Sequence, residues 1–213
     1  MPRRKIAFVS GEHYHLYNRS IFREPIFSRK QDVDFFQNLI EFYILNNHPV
    51  KYSYYRRNKS KYSINTEDRI ATIISYCFMP NHFHLCVRQE KENGIHLFMK
   101  KILNSYSHYF RLKYKGKGPL FESMFKAVHI ETEEQLIHLT RYIHLNPVSS
   151  NLVKKPEDYS YSSYNLYFSH PSSIYDFSTV LSKFKKLNQY KDFVEDRIDY
   201  QKELERIKHL MFK

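Results

Sequence analysis

The 213-residue sequence has only two cysteines and no long apolar segment. Two cysteines cannot build a disulfide framework, so we expect a reducing compartment. No apolar run approaches the roughly 20 residues of a membrane helix. The N-terminal stretch MPRRKIAFVSGEHYH also lacks the apolar core of a signal peptide. These absences predict a cytoplasmic protein that does not associate with a membrane.

Acidic residues are scarce relative to basic ones, with 22 Asp and Glu against 34 Lys and Arg and a net charge of +12. Such an excess implies a polyanionic partner, more often nucleic acid than an anionic membrane surface. The chain also has 19 tyrosines and 17 phenylalanines. Aromatic rings among basic side chains favour single-stranded nucleic acid, because bases stack on the rings while the basic groups follow the phosphates. An ordinary core accounts for most of these rings but not for the charge.

Hydrophobic periodicity predicts strands and helices in the order βαββαβ, followed by another helix. The predicted segments are 11–19, 31–46, 70–79, 82–89, 95–114, 125–130 and 132–146. This order indicates an α+β fold with a ferredoxin-like βαββαβ core, a mostly antiparallel sheet and helices packed on it. The last of these helices should begin at the capping box Thr132–Gln135 and stop at Asn146-Pro147.

The sequence predicts one main domain over residues 1–164 and a helical extension of unknown role over 165–213, made of two amphipathic helices. A basic insertion lies near 48–69. Within it, residues 51–62 carry five basic residues, four tyrosines and no acid. This composition predicts a solvated loop or hairpin, which fits a nucleic-acid contact and a merely soluble insertion equally well.

A predicted hairpin over 70–89, with its turn at Pro80-Asn81, places His82 and His84 on one strand face. Two imidazoles about 7 Å apart on a rigid hairpin can close on one divalent cation. His13 and His15 form a second such pair on the first strand. We favour His82 and His84 because the tight turn preorganises them.

The same hairpin allows a structural zinc site, because a two-residue turn puts Cys77 opposite His84, on the face that also carries Cys86. Four ligands along a flat hairpin do not easily form a tetrahedron, however. Both cysteines also fit a role as small apolar fillers.

The helix over 132–146 places His138, Tyr142 and Asn146 on one face, since residues four apart are neighbours. If this helix packs on the histidine face, a metal, an amide oxygen and a phenol converge. That set suits phosphodiester cleavage by a tyrosine nucleophile. Tyr106 and Tyr109 are rival nucleophiles, but their apolar stripe indicates packing or base stacking.

The segment MPNHFHL resembles the histidine–hydrophobic–histidine motif of the HUH single-tyrosine transposases, and most closely the group of REP-associated tyrosine transposases. The segments YHLYNR, SYSHYF, RYIHLNPV and PEDYSYSSY support the resemblance, which covers roughly residues 8–164. It implies that Tyr142 is the nucleophile and that His82, His84 and Asn146 bind Mg²⁺ or Mn²⁺. It also implies cleavage of single-stranded DNA at hairpin-forming repeats, leaving a 5′-phosphotyrosine and a free 3′-hydroxyl, and rejoining by the reverse reaction.

The basic residues that we expect to contact DNA are Arg19, Arg56, Arg57, Lys100, Lys101, Arg111, Lys113, Lys115, Lys117 and Lys126. Where the group often has Gly-Arg before an aromatic-Lys pair, this chain has Ser123-Met124-Phe125-Lys126. A domesticated transposase that regulates by binding DNA without catalysis, and an RNA-binding module of similar topology, are the alternative functions. The sequence leaves both a monomer and a homodimer open.

Overall fold

The computed structural model describes residues 6–122, 124–169 and 174–203. Its strands are β1 (His13–Arg19), β2 (Ala71–Met79), β3 (His82–Gln89) and β4 (Lys126–Ile130). Its helices are α1 (Lys30–Tyr43), α2 (Tyr52–Arg57), α3 (Gly94–Tyr114), α4 (Glu133–Ser149), α5 (Ser178–Leu181) and α6 (Leu187–Glu195). A further helical segment begins at residue 198 and continues to the end of the described chain.

The four strands form one sheet in the order β2-β3-β1-β4, and every neighbouring pair is antiparallel. β2 and β3 are joined by the predicted two-residue turn at Pro80-Asn81. The two central strands, β3 and β1, come from different parts of the chain, which is the ferredoxin-like arrangement. The predicted α+β fold is confirmed.

The two faces of the sheet are covered by different helices. On one face, Phe83 of β3 packs against Phe36 of α1 with ring centroids 5.2 Å apart, and α3 packs beside α1. Because strand side chains alternate, the neighbouring residues His82 and His84 point to the opposite face. That face is covered by α4, which contacts β2, β3 and β4.

The segment 52–57 is helical, so the predicted loop or hairpin at 51–62 is wrong. Tyr52 explains the difference, because its side chain is buried against the rings of Phe35 and Phe42, at centroid distances of 5.6 and 5.3 Å. The tertiary contact stabilises a short helix that composition alone does not predict.

α4 begins as predicted, with the Thr132 hydroxyl accepting a hydrogen bond from the Gln135 N–H at 3.1 Å. Its predicted stop at Asn146-Pro147 is wrong, because the helix continues through Pro147 to Ser149. A proline in the last turn removes only one helical hydrogen bond, the one to the Ile143 carbonyl.

The extension also differs from the two amphipathic helices that the sequence predicts. Its first helix, α5, has only four residues, and Leu187 begins the next helix instead of ending the first. Residues 204–213 of the predicted second helix lie outside the described residues. Val180 and Val194, which the periodicity assigns to the apolar faces, are fully buried.

A buried polar network joins α4 to β2 and to the extension. His144 of α4 lies with Nε2 2.8 Å from Ser163 Oγ and Nδ1 2.7 Å from the Tyr190 hydroxyl. Ser163 donates its own proton to the Tyr76 carbonyl at 3.2 Å. His144 therefore donates from Nε2 and accepts from Tyr190 at Nδ1. Burial lowers the pKa of His144 to about 3, so the ring is neutral at pH 7.

We predict that Tyr190→Phe destabilises the fold by about 1–3 kcal/mol, because it leaves the buried Nδ1 of His144 without a donor. Urea denaturation measures this free energy of unfolding. Tyr200→Phe is the matched control, since Tyr200 is 59% exposed, and its effect should stay within about 0.5 kcal/mol. Equal effects of the two substitutions would contradict the role of the network.

A second buried cluster ties α1 to α3 through the carboxylate of Asp32. This side chain accepts hydrogen bonds from the Tyr109 hydroxyl at 2.7 Å, the Lys113 ammonium at 2.6 Å and the Tyr114 hydroxyl at 2.6 Å. Burial alone would raise the pKa of Asp32. The hydrogen bonds from Lys113, Tyr114 and Tyr109 outweigh it and hold the pKa below its usual value.

We predict that Asp32→Asn lowers the free energy of unfolding by about 1–3 kcal/mol at pH 7. The folded-state pKa lies below the unfolded one, so this contribution is complete above about pH 4 and is lost as the pH falls further. The difference between wild type and variant should therefore shrink in acid. Asp34→Asn is the control, because Asp34 pairs with Lys30 on the exposed side of α1 and should contribute about 0.5 kcal/mol or less. A wild-type advantage that persists unchanged to pH 3 would contradict the account.

Candidate functional site

β3 presents two histidines to α4 from the start of the strand. The rings of His82 and His84 have centroids 5.1 Å apart and are nearly perpendicular. In the β1–β3 register, Arg19 lies opposite His82 and Tyr17 lies opposite His84. The site therefore lies at the end of the sheet that carries the Pro80-Asn81 turn.

Hydrogen bonds at Nδ1 orient both rings. His82 Nδ1 is 2.6 Å from the side-chain oxygen of Asn81, which only accepts, so the His82 proton lies on Nδ1 and the lone pair on Nε2. The pKa of His82 is lowered to about 4, mainly by burial and to a smaller extent by the charge of Arg19. His84 Nδ1 is 2.9 Å from Nε2 of His15 on β1. His82 is thus a neutral imidazole at pH 7, the form that binds a metal.

α4 brings Tyr142 to these histidines. The Tyr142 ring lies edge-on to His84, with centroids 5.6 Å apart, and edge-on to His15 at 6.1 Å. The tyrosine is half-buried, at the border of the core. Leu139 and Ile143 pack into the core beside it. The Tyr142 phenol therefore meets the imidazoles of His84 and His15 between β1, β3 and α4.

Asn146 and His138, the other two residues predicted on this helix face, differ in their exposure to solvent. Asn146 is 6% exposed, and its amide nitrogen donates to the Tyr142 carbonyl at 3.0 Å. Its amide oxygen accepts no hydrogen bond from any residue in the described ranges. His138 is exposed, receives a hydrogen bond from Arg141 at 2.7 Å and lies 3.7 Å from Glu134. Of these two residues, only Asn146 offers a side-chain oxygen that could bind a metal, one turn beyond Tyr142.

The rival tyrosines lie on the other side of the sheet. Tyr106 is fully buried and donates to the Ile26 carbonyl at 2.5 Å, and Tyr109 donates to Asp32. Tyr17 is a neighbour that the sequence did not indicate, with its ring 5.8 Å from His84. Only the pairing of β1 with β3 reveals it, because the two segments are far apart in the chain.

The cysteines of the alternative zinc site are both buried. Cys77 lies opposite His84, as the two-residue turn predicts, but its sulfur contacts the Met79 sulfur at 3.6 Å. Burial raises the pKa of Cys77 and of Cys86, which disfavours the thiolate form that zinc binds. Within the described ranges, no group of three or more His, Cys, Asp or Glu residues could hold a metal ion.

The residue types predicted for the metal site are nevertheless ones that bind divalent ions. His82 and His84 offer imidazole nitrogens, and Asn146 offers an amide oxygen. An amide oxygen suits both Mn²⁺ and Mg²⁺, whereas imidazole nitrogens suit transition metals better than Mg²⁺, which prefers oxygen and keeps several waters. The fit depends on the Nδ1 contacts, because a ring that is protonated at Nδ1 presents its lone pair at Nε2.

The basic residues predicted to bind DNA fall on two sides of the sheet. Arg19 of β1 and Lys126 of β4 share the face of the histidines, and Lys126 lies 5.9 Å from the centre of the Tyr17 ring. Arg56, Arg57, Lys100, Lys101, Arg111 and Lys113 lie on α2 and α3, and Lys115 and Lys117 follow α3. The helices therefore carry most of the predicted contacts on the face opposite Tyr142.

Some of these basic side chains already contact other residues of the protein, and others are exposed. Lys113 is held by Asp32, and Lys101 lies 3.4 Å from a ring nitrogen of His48. Lys100, Lys115 and Lys117 are exposed and form no ion pair with any residue that the structure describes. Ser123, in the segment that departs from the transposase pattern, lies outside the described residues.

None of the helices in the described ranges has the length and apolar character that a bilayer-crossing helix needs.

Comparisons with known proteins identify a family and a similar fold. The sequence model of the family described as "Transposase IS200 like" matches residues 8–146. A solved structure of a REP-associated tyrosine transposase bound to a REP hairpin is similar in fold, with a TM-score of 0.59 and 15% identity. The match covers 83% of this chain and 90% of that one.

A crystal structure of a candidate transposase from Deinococcus radiodurans R1 also matches, at 12% identity, over 67% of this chain and 95% of that one. Its TM-score of 0.38 is too low to indicate the same fold. No curated protein matches the sequence.

Proposed function

The chain belongs to the IS200-like transposase family, and we propose that it cleaves and rejoins single-stranded DNA at hairpin-forming repeats through Tyr142. The observation that carries the proposal is the position of Tyr142, edge-on to His84 between α4 and the sheet. The similar structure with a bound REP hairpin supports repeats of that kind as the substrate. The net charge of +12 suits a polyanionic strand.

The proposed reaction is an exchange of phosphodiester bonds. The Tyr142 oxygen attacks the phosphorus, so a phosphorus–phenol oxygen bond forms while the bond to the 3′-oxygen breaks. The phenol loses its proton and the departing 3′-oxygen gains one, so no proton is consumed overall. The 5′-phosphotyrosine conserves the bond energy, and attack by a 3′-hydroxyl reverses the step and rejoins the strand.

The residues that would hold a divalent ion are His82, His84 and Asn146. Such an ion supplies charge neutralisation at the scissile phosphate. The protein's own contribution is to fix the two imidazoles through their Nδ1 contacts and to hold Tyr142 on a rigid helix next to them. Arg19 lies opposite His82 in the strand register, and we expect it to contact a phosphate of the bound strand.

We predict that the protein forms a covalent adduct with labelled single-stranded DNA that carries a hairpin repeat, in the presence of Mn²⁺ or Mg²⁺. Tyr142→Phe should abolish the adduct, because it removes the attacking oxygen but keeps the ring packing. His82→Ala and a chelator should each reduce it by at least about 100-fold, consistent with loss of metal assistance. A denaturing gel measures the adduct.

Tyr17→Phe is the matched control, since Tyr17 is the other tyrosine beside His84 and should still permit adduct formation. An adduct that persists in Tyr142→Phe and disappears in Tyr17→Phe would move the nucleophile to β1. Tight binding that is independent of metal and gives no adduct would instead support a DNA-binding regulator. The same behaviour with RNA preferred over DNA would support an RNA-binding module.

We also predict a strong salt dependence of DNA binding, because basic side chains release counterions from the strand. For a single strand, each phosphate contact contributes about 0.7 to the slope of log K against log salt. Replacing both Lys115 and Lys117 with Gln should therefore lower the slope by about 1.4. Lys30→Gln is the control, because Lys30 is already paired with Asp34 and its loss should leave the slope unchanged. Unchanged slopes in both variants would exclude the end of α3 from the DNA contact.

A further inference from the structure

The second His-x-His of the sequence has a direct structural connection to the first. His15 of β1 lies with Nε2 2.9 Å from Nδ1 of His84, and the two rings are stacked with centroids 5.1 Å apart. In the β1–β3 register His15 is opposite Cys86, so its side chain reaches diagonally to His84. His15 of the second pair therefore belongs to the same cluster as His82 and His84.

Two ring nitrogens at this distance share a single proton, and its position decides what His84 can do. If His15 donates, the His84 proton must lie on Nε2, which removes the lone pair that a metal needs. If His84 donates from Nδ1, the lone pair lies on Nε2. The neighbouring histidine shows the second arrangement, because His82 Nδ1 faces the Asn81 oxygen, which can only accept.

We propose that His15 is a positioning residue that accepts the Nδ1 proton of His84 and so holds the Nε2 lone pair of His84 for the divalent ion. His15 does for His84 what Asn81 does for His82. This inference rests on the proposed function, because it is that function which places an ion at these histidines. A partner of this kind fixes both the tautomer and the ring orientation of a ligating histidine.

The packing around His15 supports a positioning role. Its ring is enclosed by three others, those of His84, Tyr17 at 4.9 Å and Tyr142 at 6.1 Å. Aromatic contacts on several sides restrict rotation of the imidazole about its side-chain bonds. A fixed acceptor keeps His84 in one orientation, and a mobile one would not.

The first test is the tautomer of His84 in the metal-free protein, measured by long-range proton–nitrogen NMR correlations of the imidazole rings. We expect the wild type to carry the His84 proton on Nδ1. His15→Gln should preserve this state, because its side-chain oxygen can occupy the place of Nε2 and accept. His15→Ala should lose the fixed tautomer. A wild-type proton on Nε2 of His84 would overturn the proposal.

The second test is Mn²⁺ binding without DNA, measured by electron paramagnetic resonance of the unbound ion. His15→Ala should weaken binding by about 10–100-fold, and His15→Gln should restore most of it. His129→Gln is the control, because His129 lies opposite Tyr14 on the other side of the sheet, hydrogen-bonded to Glu12. It should bind Mn²⁺ as the wild type does.

The outcomes separate this inference from the proposed function. Unchanged Mn²⁺ affinity in His15→Ala would overturn the positioning role, and so would equal losses in the Ala and Gln variants, which would make His15 a direct ligand. A wild type that binds no Mn²⁺ would contradict the proposed function. In that case the NMR measurement would still decide whether His15 fixes the tautomer of His84.

Discussion

The register of β1 on β3 is the constraint on which the candidate site depends. Strand side chains alternate between faces, so a slip of β1 by one residue would turn His15 and Tyr17 away from α4 and toward the face that carries Phe36. The register is held from both sides, because β1 pairs with β3 and β4 and β3 also pairs with β2. A site built from central strands is therefore rigid before any ligand binds.

The second requirement is that α4 holds Tyr142 against those strands. The buried network of His144, Ser163 and Tyr190 fastens this helix to β2 and to the extension. The side chain of Gln201 also donates to the Tyr142 carbonyl at 3.3 Å. The extension thus supports the helix that carries the proposed nucleophile, and its loss should disturb the site as well as the fold.

Local patterns in the sequence predict most of the fold but only part of the site. The alternation of 70–89, the Pro80-Asn81 turn and the cap at Thr132 are local signals, and the structure has all three. Helix α2 is not predicted by any local pattern because it depends on the burial of Tyr52. No local pattern predicts the contact of His15 with His84, because it depends on the pairing of strands nearly 70 residues apart.

The central claim is that Tyr142 forms the covalent bond to DNA. The most direct measurement is to digest the protein–DNA adduct with protease and nuclease and to locate the modified peptide by tandem mass spectrometry. The account predicts a 5′-phosphonucleotide on Tyr142, in the peptide that contains YIHLNPV. A modification on Tyr17, Tyr106 or Tyr109, with Tyr142 unmodified, would contradict it.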